Sequence, residues 1–99
     1  MTKAVLGGDV DRGILVCGTG QGMAMTANKV PGIRAAVVSD TFSAKMAMEH
    51  NAARVLCLGE RILGVSLAQQ CVDTWLNSSF EGGRHERRVR KIEGVVETI

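Results

Sequence analysis

One short stretch concentrates the residues that could do chemistry: GILVCGTGQG, Gly13 to Gly22, joined to an Ala/Met-rich segment that runs to Lys29. Ile14, Leu15 and Val16 form an apolar run of strand type. Cys17 closes it, and Gly18, Gly20 and Gly22 then alternate with Thr19 and Gln21. The Ala/Met-rich segment reads as a helix, so the cysteine stands at the hinge between a strand end and a helix N-terminus. Helix N-termini carry unpaired N–H groups and partial positive charge, which suit anions. Glycine lets the backbone come close to a ligand, and a thiolate gains from the same field. The chemistry on offer is a base or nucleophile at Cys17 beside an oxyanion cradle made of the amides of residues 18–22. The competing reading is a tight turn around a buried thiol. The turn is neither a G-x-x-x-x-G-K-[ST] phosphate loop nor G-x-G-x-x-G, because Gly22 falls one residue early.

Other polar groups each have a plain reading and a functional one. His50-Asn51 ends a helix expected over 41–49; a histidine there is a dipole partner or a catalyst. Arg84, Arg88 and Lys91 fall at i, i+4 and i+7 of a basic helix, which makes a solvated face or a grip on a phosphate monoester. Arg61 comes just after the third strand and lies on the ligand side of a parallel sheet. Arg34 opens a strand on the opposite side and reads as structural. No His, Cys, Asp or Glu group has metal-ligand spacing in the sequence. The three cysteines include no C-x-x-C pair, so Cys57 and Cys71 read as small buried apolar groups of a protein in a reducing cytoplasm.

Hydrophobic pattern and turn signals give the elements that must position these groups. Thr2–Leu6 ends a helix stopped by Gly7-Gly8. Strands are expected at 13–17, 34–38 and 53–58, and helices at 20–30, 41–49, 62–76 and 84–99. On the 62–76 helix Leu63, Leu67, Cys71 and Trp75 make the apolar stripe; on the last helix Val89, Ile92, Val96 and Ile99 do. Unalternated apolar strands joined by helices imply an α/β domain with a parallel sheet covered on both faces. Such sheets bind ligands at the carboxyl ends of their strands, where Cys17 sits. The 99 residues make one small domain with an aliphatic core, since aromatics are only 3% of the chain. A net charge of +2 is too small to argue for nucleic acid. The absence of Tyr and the core-facing Trp75 argue the same way.

Taken together, GILVCGTGQGMAMTANKVPGIRAA, SAKMAMEHNAARVLCLGERILG and the tail W-L-x-x-x-F-E-G-G-R-H-x-x-R resemble the sugar-phosphate isomerases comprising ribose-5-phosphate isomerase type B and the galactose-6-phosphate isomerase subunits. The resemblance implies a Rossmann-like three-layer αβα fold, homodimers or homotetramers, and aldose–ketose isomerisation with no metal or cofactor. By position it makes Cys17 the base that moves a proton between C1 and C2. It gives the oxyanion to Thr19 and the amides of Gly18 to Gly22, ring opening to His50, and a substrate contact to Asn51. Arg61, Arg84 and Arg88 become phosphate ligands. Gln21 stands where some members carry a glutamate base and lines the substrate here. Members begin with a further segment absent from this sequence. The expectation is therefore an N-terminally truncated domain over 1–99, with three of the family's five strands.

A helix between parallel strands runs antiparallel to them, which puts His50 at the end of the sheet opposite Cys17. The sequence therefore predicts a composite site, Cys17 from one chain and His50 from another, with the 84–99 helix at a subunit interface. The alternative function is a half-length, non-catalytic partner subunit or an inactive fragment of such an isomerase. No membrane contact is expected.

Overall fold

A computed structural model of the chain describes residues 2–94. The elements run α1 (Thr2–Leu6), β1 (Gly13–Cys17), α2 (Gln21–Ala27), β2 (Ala35–Val37), α3 (Thr41–Glu49), β3 (Val55–Gly59), α4 (Val65–Leu76) and α5 (Arg84–Gly94). Val96 and Ile99, expected on the face of the last helix, lie outside the described residues.

The three strands form a parallel sheet in the order β1-β3-β2. The register sets Ile14 beside Leu56, Cys17 beside Gly59 and Val37 beside Cys57. β3 is central and buried along its whole length, as a parallel strand covered on both faces must be. Its side chains alternate between two cores. Val55 and Cys57 join Val5, Ala24, Ala27 and Ile33 under α1 and α2. Leu56 and Leu58 join Ala44, Ala47, Met48, Cys71 and Trp75 under α3 and α4. That is the three-layer αβα architecture.

Coverage fails at β1. Among the described residues nothing overlies its α3/α4-side face, and Val16 is 55% exposed. Val16, Leu58, Leu63, Val65, Ala68 and Val72 wall an open, mainly apolar groove of about 360 Å³ there. The expectation of a sheet covered on both faces is corrected at that strand: α4 packs over β3 and α3 and does not reach β1.

Local chemistry accounts for the element ends. Asp40 caps α3, accepting from the Ser43 N–H (2.7 Å) and the Ser43 hydroxyl (2.8 Å). These bonds, the backbone one first, hold the Asp40 carboxyl below its ordinary range. α4 begins at Val65 behind Gly64, three residues later than expected. Leu63 consequently packs from a turn and Leu67 is exposed; the inward stripe is Ala68, Cys71, Val72 and Trp75. Trp75 is fully buried, with Nε1–H donating to Ala53 O (2.8 Å). Arg12 covers it from outside, its guanidinium carbon 5.2 Å from the ring centroid, within cation–π range. The same guanidinium donates to Trp75 O and, at 2.6 Å, to Ser78 O. Losing a tryptophan from such a position costs about 3–5 kcal/mol in well-packed cores. Arg34 is a backbone clamp. It donates to Asn51 O (2.8 Å) and Ala52 O (3.1 Å) and pairs with Glu93 (2.6 Å).

Candidate functional site

The sequence-predicted residues fall into two groups at opposite ends of the sheet. The first surrounds Cys17, at the carboxyl end of β1. Gly20 leaves the strand with φ +84° and becomes the N-cap of α2. That turn brings its N–H to 3.2 Å from Cys17 Sγ, a donor contact that strengthens when the sulfur is charged. Thr19 Oγ1 accepts from the Gln21 N–H at 3.4 Å. Thr19, Gln21 and Gly22 are exposed, while Cys17 and Gly18 are half-buried. The turn after β3 closes on the loop from the other side: the Glu60 N–H donates to Cys17 O (2.8 Å) and the Arg61 N–H to Gly18 O (2.9 Å). The Arg61 side chain then lies against Gly18, 3.6 Å from where a β-carbon would be. Cys17, the 18–22 loop and Arg61 are thus one assembly.

Gly59 makes that assembly possible. A β-carbon on it would stand 2.6 Å from Thr19 C and 2.7 Å from Thr19 O. These are backbone atoms with no rotamer to escape into. Gly59→Ala is expected to displace the 18–20 loop and cost roughly 1–3 kcal/mol, lowering Tm by several degrees for each kcal/mol. A thermal melt unchanged from wild type would show that the loop does not sit on β3. Nothing in the local sequence singles out Gly59; its role needs the register that sets it beside Cys17.

The three thiols differ sharply. Cys57 and Cys71 have no exposure. Burial, with a lesser contribution from Cys17, pushes the Cys57 thiol up to about 11, and burial also raises Cys71. At pH 7–8 neither offers a thiolate. Brief iodoacetamide treatment of the native chain is expected to add one label, at Cys17, and all three only after unfolding. More than one label in the native state, read by mass spectrometry, would contradict this.

The second group lies at the amino end of the sheet. His50 is the C-cap of α3. The chain then turns through Ala52, at φ +49°, with the Ala52 N–H on Met48 O and the Ala53 N–H on Ala47 O. Asn51 is exposed, and its carbonyl meets Arg34 at the start of β2. The loop from Ser78 returns here, where the Glu81 N–H donates to Glu49 O (3.0 Å). Gly82 and Gly83, at φ +71° and +56°, reverse the chain into α5, conformations that glycine adopts without strain. The reversal buries His85 against His50: the rings stack with centroids 4.1 Å apart and planes 12° from parallel. Glu81 Oε1 lies 3.5 Å from His85 Nε2 and 3.9 Å from His50 Nε2. Arg84 and Arg88 are exposed on the first turns of α5, and both act electrostatically on His85.

Five residues of β3 separate the two groups, roughly 13 Å of extended chain. One chain does not bring Cys17 and His50 together, nor Arg61 together with Arg84 and Arg88. Sequence reasoning missed Glu81 and His85. Their i, i+4 spacing was visible, but their meeting with His50 depends on a fold contact between segments far apart in the chain. Ligating atoms of His50, Glu81 and His85 lie within 4.8 Å of one another, the set of described residues that could hold a metal ion. Both Nε2 atoms, however, already face Glu81 Oε1, at 3.9 and 3.5 Å, and an Nε2–H aimed at that carboxylate has no lone pair left for an ion. The geometry is that of two stacked imidazoles sharing one carboxylate neighbour.

A three-layer αβα arrangement around a parallel sheet is a Rossmann-like fold, and the Cys17 loop lies at the strand ends where sheets of this kind bind their ligands. The family model described as Ribose/Galactose Isomerase matches residues 1–92, and the chain belongs to that family. Ribose-5-phosphate isomerase B of Escherichia coli is 50% identical over 92 residues, covering 93% of this chain and 62% of that protein. D-erythrulose-4-phosphate isomerase of Pectobacterium atrosepticum is 48% identical over 92 residues, covering 93% and 60%. The solved ribose-5-phosphate isomerase B of Clostridium thermocellum superposes with a TM-score of 0.93 at 52% identity, over 98% of this chain and 66% of that one. The chain thus spans about 60% of the length of these curated relatives. No helix among the described residues is long and apolar enough to cross a membrane.

Proposed function

We propose that this chain is a catalytic subunit of a cytoplasmic aldose–ketose isomerase that interconverts ribose 5-phosphate and ribulose 5-phosphate. The observation that carries this reading is the Cys17 assembly: a half-exposed sulfur at a strand's carboxyl end, 3.2 Å from the Gly20 N–H, inside a loop of glycine amides beside Arg61. With the open aldose bound, the Cys17 thiolate takes the proton from C2. Electrons move toward O1, where Thr19 and the amides of Gly18 to Gly22 stabilise the oxyanion of a cis-enediolate. Gln21, without an acid–base function, lines the loop. A proton passes from O2 to O1, and the thiol returns its proton to C1, giving the ketose. Nothing is gained or lost overall, so no cofactor is called for.

Opening the furanose ring needs a second acid–base group. His50 supplies it from a second copy of the chain in a homodimer or homotetramer, and its neighbour Asn51 holds a sugar hydroxyl. Arg84 and Arg88 of that second copy, with Arg61 of the first, bind the phosphate. Placing Arg84 and Arg88 against another chain's Cys17 puts α5 at the subunit interface. This composite site accounts for the separation of the two groups.

The test is incubation of the chain with ribose 5-phosphate in D2O, with the mass of the assembly recorded. Ketose carrying solvent deuterium at C1 is the expected product. A folded oligomer that makes no ketose and exchanges no hydrogen would overturn the reading. Parallel assays with D-erythrulose 4-phosphate and galactose 6-phosphate rank the substrates.

A further inference from the structure

His85 is one of only two histidines in the chain, and it is packed away from solvent where His50 is half-exposed. Its Nδ1 is buried with no hydrogen-bond partner, and its Nε2 faces Glu81 at 3.5 Å. A neutral imidazole fits this pocket, with Nε2–H toward the carboxylate and Nδ1 as an idle acceptor. A cationic one does not, because its second N–H would point from Nδ1 at nothing that can accept it.

We propose that His85 is a positioning residue for His50, a neutral ring stacked beneath the half-exposed imidazole that fixes its orientation and leaves the taking up of a further proton to His50. Glu81 orients both rings through its Oε1 contacts, 3.9 Å on the His50 side and 3.5 Å on the His85 side. The charged groups acting on His85 agree with a neutral ring. Burial lowers its affinity for a proton first, then the charge of His50, then Arg84; Glu81 opposes them and Arg88 adds to them. From α3, Glu49 is engaged with Lys45 at 4.0 Å. An imidazole that must give and take a proton at a sugar oxygen works best when it faces one way and does not exchange its proton with a neighbour. The proposal rests on the isomerase reading only for that task.

The decisive measurement is a pH titration of the imidazole Cε1–H resonances of the full chain by NMR, without substrate. Two histidines give two resonances, assigned with His85→Phe and His50→Phe. In the wild type, the two midpoints are expected to be separate, with that of His85 at the lower pH. In His50→Phe, the His85 midpoint is expected to rise, because the charge that opposes its protonation is gone. His85→Phe keeps a flat ring under His50 and is expected to preserve its single tautomer, read by imidazole 15N shifts, whereas His85→Ala mixes the tautomers. If His85→Ala does not fold, the two phenylalanine variants still decide the outcome. Equal midpoints, protonation of His85 before His50, or no rise in His50→Phe would overturn the proposal. Because no substrate is present, a failure of the isomerase reading leaves these results untouched, and an active enzyme with uncoupled imidazoles would sink the positioning role alone.

Discussion

Cys17→Ala is expected to lower kcat for ribose 5-phosphate conversion by about 10²–10⁴-fold, the contribution of a well-placed general base, with KM within about twofold of wild type. The separation of effects comes from the position of the sulfur. Cys17 ends β1 and its backbone is held by the Glu60 N–H at 2.8 Å, so removing Sγ leaves the loop, the register with Gly59 and Arg61 in place. What is lost, on the proposed mechanism, is the atom that takes the C2 proton and the sulfur that accepts from the Gly20 N–H. Exchange of the ketose C1 hydrogen with D2O should fall by the same factor as net turnover, because both pass through the enediolate. An Arg61→Ala variant should do the opposite, raising KM for the phosphorylated sugar with kcat nearly retained. If Cys17→Ala instead raised KM and kept kcat, the sulfur would be a binding group and the base would have to lie elsewhere. Comparable hydrogen exchange in wild type and variant would lead to the same conclusion.

The strand, turn and helix start around Cys17 could be read from the sequence because they are local. A strand, a hinge cysteine and alternating glycines are contiguous, and the chemistry of residues 17–22 needs few distant contacts. The boundaries of α3 were legible for the same reason: Asp40 caps it through Ser43, three residues on, and the segment carries no glycine or proline before Glu49. Where the reading slipped, long-range packing decided. Leu67 fits the 3.6-residue stripe of α4 yet is 37% exposed; Cys71 and Trp75 of that stripe are buried as expected, and Ala68 and Val72 pack beside them in its place. The exposed face of β1 was equally hidden, since apolar Ile14 and Val16 look the same in sequence whether or not a helix covers them. The Glu81–His85 pair needed the contact between the end of α3 and the start of α5. That contact depends on two successive left-handed glycines and on a loop bond to Glu49 O, neither of which has periodicity to reveal it.

The same topology that separates the two halves of the site yields the most demanding prediction. Cys17→Ala and His50→Ala chains, each close to inactive alone, are expected to recover about a quarter of wild-type turnover when dissociated, mixed in equal amounts and reassociated. In the proposed two-fold dimer each composite site would take Cys17 from one protomer and His50 from its partner. A mixed dimer therefore holds one intact site and one lacking both groups. Random pairing makes half the dimers mixed, and half the sites in those are whole. The recovery must also depend on subunit exchange, so combining the variants without dissociation should restore activity only as slowly as protomers swap. A site built within one chain predicts no recovery on any schedule, because every protomer would carry one lesion. That alternative must span the length of β3, roughly 13 Å between the groups, with a substrate whose reacting carbons are adjacent. Proton transfer at C1 and C2 and ring opening at the same sugar need both groups within hydrogen-bond reach at about 3 Å of the atoms they serve. A pentose can meet that condition across an interface that lays the amino end of one sheet against the carboxyl end of another.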